Sequence, residues 1–276
     1  MQNISDYWGE KVKKAQIAKI HTKIMENKYS TEISDCIKKT KIYDGEQWNL
    51  ENLLKTTLCD TKGTIVDLDS VSAIFKQAKG KTAVLNFADY KHPGGCFLDG
   101  SMAQEESLCH SSFLYNVLKE FSDYYKYNNQ HLNRSLYKDR ALYSSDVIFE
   151  LNGDTKVCDV ITCAAPYKAA AQTYCKVSDE ENTKALKSRI KFVLDIAEDN
   201  NVETLILGAY GSGVFRQNPN EVTSVFRDTL NKYNYHFKKV IFAIPKGKNN
   251  NFNCFKKVFL IKNNFRKGER SRQYFM

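Results

Sequence analysis

The sequence predicts an α/β fold in three layers, a β-sheet between two layers of helices, with a helical extension at the N-terminus. Three observations carry this. Short apolar or β-branched runs alternate with longer helical patterns, an order that builds a sheet covered on both faces. The 276 residues, 42% hydrophobic and 26% charged, suit one sizeable core. No repeat period or Pro/Ser-rich linker interrupts the chain, and its four prolines mark no domain break. The expectation is a single domain over 1–276, with 1–60 as the extension and 246–276 as a basic C-terminal segment.

Residues 5–28 read as an amphipathic helix capped by Ser5, with Val12, Ile17, Ile20 and Ile24 near one face and lysines on the other. A short strand over Thr64–Val66 precedes a helix capped by Ser70. Thr82–Ala88 is an apolar run of the kind that forms a buried strand, and a helix follows over about Gln104–Glu120. Val147–Leu151 and Val157–Ala164 are two strands separated by the turn Asn152-Gly153. Ser178 with Glu181 three positions on has the form of a capping box and opens a helix over 178–200. Thr204–Leu207 is a strand, 220–232 a helix and Val240–Ile244 a last strand ending at Pro245.

The net charge of +9 is unevenly placed. From Lys246 to Met276 nine basic residues face one acid, Glu269, so this segment holds +8 and the preceding 245 residues only +1. Such a tail reads first as a solubilising segment and second as a contact for nucleic acid. Phe252, Phe255, Val258, Phe259, Leu260 and Ile261 predict that part of it packs on the body. The eight cysteines form no CxxC and the histidines lie at no zinc spacing, so reduced thiols, a cytoplasmic setting, no metal and no cofactor are expected. The polar N-terminus has no signal-peptide h-region, and no run reaches the roughly 18 apolar residues of a membrane span.

Two loops leave the carboxyl ends of predicted strands, where open α/β sheets bind ligands. The first runs from Asn86 to Glu106 and includes Pro93-Gly94-Gly95-Cys96 and Gln104-Glu105-Glu106. The second is Gly208-Ala-Tyr-Gly-Ser-Gly-Val-Phe215. Glycines allow close backbone approach, and successive free N–H groups make a concavity for an anion. Neither loop continues into Gly-Lys-Ser/Thr, so neither is a P-loop. Gly211-Ser-Gly213 alone also reads as a tight packing turn, and acids in a first helical turn are favoured by the helix dipole.

The first loop resembles the signature of poly(ADP-ribose) glycohydrolases, glycines followed after a spacer by Gln-Glu-Glu, and in particular the microbial branch of that family. Pro93–Leu98, Ala103–Cys109, Tyr143–Val147, Val160–Pro166 and Leu207–Phe215 are similar to that branch's blocks in the same order. The resemblance spans roughly residues 80–245. It implies a macrodomain-like α/β/α fold with a mixed sheet, and a glycosidase releasing ADP-ribose from poly(ADP-ribose) or ADP-ribosylated macromolecules. It puts the catalytic acid/base on Glu106, with Glu105 orienting ribose hydroxyls and Gln104 holding the loop. Asn86, Asp89, Gly94, Gly95 and Cys96 would face the distal ribose and diphosphate. Gly211, Ser212, Gly213 and Val214 would wrap the diphosphate, and Phe215 would pack near the distal ribose, although it also reads as a core residue. Phe242 or Ile244-Pro245 is the expected flank of the adenine.

Three positions depart from the family pattern. Cys96 stands for the third glycine, Asp89 for a common asparagine and Ser212 for a common cysteine. A side chain at 96 would crowd the ribose or demand another backbone angle. Competing readings are a non-catalytic ADP-ribose reader, a hydrolase of ADP-ribosylated nucleic acid served by the tail, and a Cys96 nucleophile with His92 as its base. The expected partners are ADP-ribose or its polymer and, through the tail, nucleic acid; no membrane is expected, and the chain is expected to be a monomer.

Overall fold

The computed structural model describes residues 4–50, 63–247 and 249–259. Seven strands form one mixed sheet in the order β1-β4-β5-β3-β6-β7-β2. They are β1 (Lys41–Asp44), β2 (Gly63–Val66), β3 (Thr82–Phe87), β4 (Arg140–Leu151), β5 (Asp154–Cys163), β6 (Thr204–Leu207) and β7 (Lys239–Ala243). The pairs β1/β4 and β4/β5 are antiparallel; from β5 across to β2 the pairs are parallel. The two most informative loops therefore leave adjacent parallel strands, β3 and β6, at the same edge.

Strand alternation sends neighbouring residues into opposite layers. Leu85, Leu205 and Val240 join one core with Ile190 and Val193 of α8 (Asp179–Asp199) and Val222 and Phe226 of α9 (Pro219–Lys232). Val84, Ile206 and Ile241 face the other core. There they meet α1 (Ile4–Lys28), α2 (Ser30–Lys39), α3 (Ser70–Gln77), α4 (Gln104–His110), α5 (Leu114–Leu118) and α6 (Ser122–Gln130). The remaining helix of the body is α7 (Lys168–Cys175). Ser178 and Glu181 form the expected capping box at α8. Residues 251–259 are helical and bury Phe252 and Phe255, as expected for the start of the tail. Leu260 and Ile261 lie outside the described residues.

Several expectations need correction. The packing face of α1 is Ala18 and Met25, while Val12, Ile17, Ile20 and Ile24 are all more than half exposed. Small and flexible residues let α1 lie close to the body, and the β-branched stripe points outward. α1 begins at Ile4, one residue before the expected cap. The cap of α3 is Asp69, whose carboxylate accepts from Ser72 N at 2.8 Å; Ser70 lies one residue inside the helix. The helix expected over 104–120 is two helices. Ser112 interrupts it by bridging to Phe149 of β4, and its hydroxyl accepts from Leu114 N at 3.1 Å to start α5. β4 begins seven residues earlier than expected and carries a bulge between Ser144 and Val147, with Asp146 at φ 60°.

Candidate active site

The first loop is shaped by a contact only glycine permits. Gly94 and Gly95 have φ of 67° and 60°, in the left-handed region. A Cβ on Gly95 would lie 2.8 Å from Glu106 Oε1 and 3.0 Å from Glu105 Oε2, so the backbone runs directly against both carboxyl groups. A Cβ on Gly94 would meet the Tyr115 ring at 2.8 Å. The next residue, Cys96, has φ of −100°. That angle is open to any residue, so the cysteine in place of a third glycine demands no unusual backbone. Its amide donates to Glu106 Oε1 at 3.0 Å, and its side chain is exposed.

The three residues that open α4 are held differently. Gln104 clamps the helix to the end of β3 and to α3: its Oε1 accepts from Phe87 N (2.8 Å), and its Nε2 donates to Leu85 O (2.9 Å) and Ser70 Oγ (3.0 Å). Glu105 accepts from Asn86 Nδ2 (3.0 Å) and from Asp89 N (2.7 Å), so both its oxygens hold the protein together. Burial raises its pKa well above the usual carboxylate value, against the pull of those two donors. Glu106 differs. Oε1 is fixed by the Cys96 amide, whereas the buried Oε2 has no partner within the protein.

The second loop is fastened from behind. Gln217 and Asn182 of α8 exchange a reciprocal amide pair at 2.8 and 3.0 Å, and Gln217 also donates to Pro166 O at 2.9 Å. Gly211, at φ 69°, fits against Ala165 and Gln217. Further out the loop opens: nothing lies within 4 Å of a Cβ placed on Gly213, and Val214 is 74% exposed. Phe215 stacks on Tyr167 at 4.5 Å and meets Tyr137 edge to face at 6.2 Å.

Between the loops lies a cavity of about 360 Å³, within the size range of small-molecule sites. Asp89, Gly95, Cys96, Gln104, Glu105 and Glu106 line it from one side, Gly211, Gly213, Val214 and Phe215 from the other. Asn86, Gly94 and Ser212 are not on its wall. Asn86 is fully buried behind Glu105, and Gly94 sits on Tyr115. Sequence reasoning missed Phe87, Ala88, Ser101, Ala103, Ala165, Ala209 and Tyr210, which complete the lining. All but Ala165 lie within the two loops, and the small ones among them leave room beside the glycine turns. Phe242, expected beside the adenine, is fully buried against Phe226 and Phe255 and lies off the cavity.

Asp89 serves its own loop. Its Oδ1 accepts from Lys91 N (2.6 Å) and His92 N (2.9 Å) and lies 3.2 Å from His92 Nδ1. A carboxylate on Nδ1 does not stop Nε2 of His92 from acting as a base, so the thiol itself decides against Cys96 as a nucleophile. The Cys96 thiol is itself pushed up by burial and by Asp99, Glu106 and Asp89, opposite to what an activated nucleophile requires. Among the described residues no helix is long and apolar enough to cross a membrane.

The model of the microbial-type PARG catalytic domain matches residues 12–150. The chain belongs to this family. It is therefore a glycosidase of the poly(ADP-ribose) glycohydrolase type, on a macrodomain-like α/β fold. Among solved structures it is similar to poly(ADP-ribose) glycohydrolase from Thermomonospora curvata bound to the inhibitor ADP-HPD. That match has a TM-score of 0.78 and 25% identity, and covers 89% of this chain and 99% of that one. It is also similar to the glycohydrolase from Deinococcus radiodurans in complex with ADP-ribose, with a TM-score of 0.68 and 26% identity over 82% of this chain and 96% of that one. No curated protein matches the chain.

Proposed function

We propose that this glycohydrolase binds an ADP-ribose unit between its two glycine loops and cleaves the ribosyl glycosidic bond with Glu106 as the single acid/base. One observation carries this reading: Glu106 lies on the cavity wall with one oxygen fixed by the Cys96 amide and the other unpartnered. A proton on Oε2 would pass to the departing oxygen at C1″ as the glycosidic bond breaks. The resulting carboxylate would then take a proton from the water that adds to the oxocarbenium-like carbon. Glu105, whose oxygens already hold Asn86 and Asp89, supports the loop and presents its buried carboxyl beside the sugar. The backbone of Gly211–Phe215 faces the diphosphate, and Phe215, stacked on Tyr167, walls the ribose side.

The finer assignments belong to the same reading. The chain acts as a monomeric, cytoplasmic enzyme with one catalytic domain over 1–276. Burial of α1 and α2 in the layer that holds α4 supports counting 4–39 with that domain. The basic segment 246–276 meets nucleic acid or serves solubility. Deleting it would abolish a salt-sensitive nucleic-acid affinity in the first case and leave affinity unchanged in the second. The decisive assay incubates the protein with an automodified, poly(ADP-ribosyl)ated acceptor and identifies the soluble product by mass spectrometry. Free ADP-ribose is expected. Tight binding of ADP-ribose with no release would instead make the chain a reader.

A further inference from the structure

The catalytic helix carries chemistry at one end and an imidazole at the other. Glu106 and His110 are four residues apart on α4 and so leave the same helix face. Phe97, in the turn after Cys96, is fully buried. Its ring meets His110 edge to face at 4.6 Å and 73°, Tyr115 of α5 at 5.2 Å, and His21 of α1 at 6.4 Å and 85°. α1 shuts the turn from outside, since a Cβ on Gly100 would lie 2.2 Å from Lys11 O. The segment that presents the Cys96 amide to Glu106 is thus seated on three helices, with Phe97 as the plug.

His110 Nε2 is buried and has no hydrogen-bond partner. His21, 6.3 Å away, is engaged with Ser112 O at 3.0 Å through its own Nε2. Titratable or charged groups on the surrounding elements include Lys11 and the other lysines and glutamates of α1, Asp99 on the loop, Glu105, Glu106 and Cys109 on α4, Tyr115 on α5 and Glu150 on β4, whose pKa His21 helps to lower. A second proton on His110 would place an unpaired N–H in an apolar seat, and burial together with His21 disfavours the charged form. We propose that His110 is a positioning residue: as a neutral imidazole it seats Phe97 and so holds the Gly95-Cys96 turn against Glu106. Only its consequence for turnover rests on the glycohydrolase reading; the seating can be observed without a ligand.

The test is hydrogen exchange of peptides spanning 94–100, corrected for intrinsic rates, at about pH 7.5 and about pH 5.5, on either side of the histidine range. Peptides from α8 serve as the internal reference, and ADP-ribose affinity is measured by calorimetry under both conditions. In the parent, loop protection should fall about tenfold on acidification while α8 stays protected, and ADP-ribose affinity should fall only in step with the closed fraction of the loop. H110F, which keeps an aromatic ring, and H110Q should both lose this response, whereas H21Q should keep it. A parent loop equally protected at both pH values would overturn the proposal. So would a response that survives in H110F or H110Q, or one that vanishes in H21Q. A loop that responds as expected in a protein that releases no ADP-ribose would sink the glycohydrolase reading and leave the seating standing.

Discussion

The two glycine loops leave neighbouring strands at one sheet edge, yet they are built for different work. The loop after β3 is locked at three points: Gly95 against two carboxyl groups, Phe97 in its seat, and α4 clamped by Gln104. The loop after β6 is held at its base, through Gly211 and the Asn182–Gln217 pair, and again at Phe215 on Tyr167, and leaves Val214 exposed between the two. A group that must present one oxygen to one carbon needs placement to a fraction of an ångström. A diphosphate with many equivalent oxygens can be held by a looser backbone. On the proposed function, rigidity sits where bonds are to break, and latitude where charge is only held.

Alanine substitutions at the glycines should rank accordingly. Gly95→Ala forces a Cβ between the glutamates at a left-handed φ, so kcat should fall about 100-fold or more, together with about 1–3 kcal/mol of stability in urea unfolding. Gly211→Ala presses on Ala165 and Gln217, away from the reacting carbon, and should raise KM about tenfold with kcat nearly kept. If the two variants lost kcat alike, the division of labour would fail. Cys96→Gly keeps the amide that holds Glu106, so turnover should be maintained or raised, at a cost of about 0.5–1 kcal/mol from added backbone freedom. Complete loss would return the thiol to the chemistry. Gly213→Ala meets nothing within 4 Å and should stay within about 0.5 kcal/mol of the parent in urea unfolding.

Acid sensitivity should also localise to the first loop. The pKa of His110 lies below its ordinary 6.5, so the folded state binds fewer protons than the unfolded state between the two values. The stability it contributes is complete above 6.5 and is lost as pH falls toward the folded value. The urea midpoint should drop across that window in the parent and less so in H110F.

How much was legible in the chain follows the same contrast. Strands with continuous apolar runs, such as Thr82–Phe87 and Thr204–Leu207, and helices with capping signals, such as α8, were readable because the signal is local. The elements that were missed take their order from tertiary contacts. β1 buries only Tyr43 and exists by pairing with β4, while α7 buries only Ala171. The break at Ser112 depends on a bridge to a residue 37 positions later. At the site, residue types told which loops face one another. They did not tell that both Glu105 oxygens would be engaged by Asn86 and Asp89, that Asp89 would cap its own turn, or that Ala165 and Tyr210 would finish the wall. Those outcomes are set by where backbone donors point, which no spacing encodes.

The claim on which the rest depends is that Glu106, presenting the oxygen that the protein leaves unpartnered, moves the proton. Glu106→Gln keeps the volume and an oxygen for the Cys96 amide while removing the acid, so paired kinetics and calorimetry test it directly. The account predicts ADP-ribose release slowed by about 10²–10⁴-fold or more, with ADP-ribose affinity close to that of the parent. Release at the parent rate would contradict it.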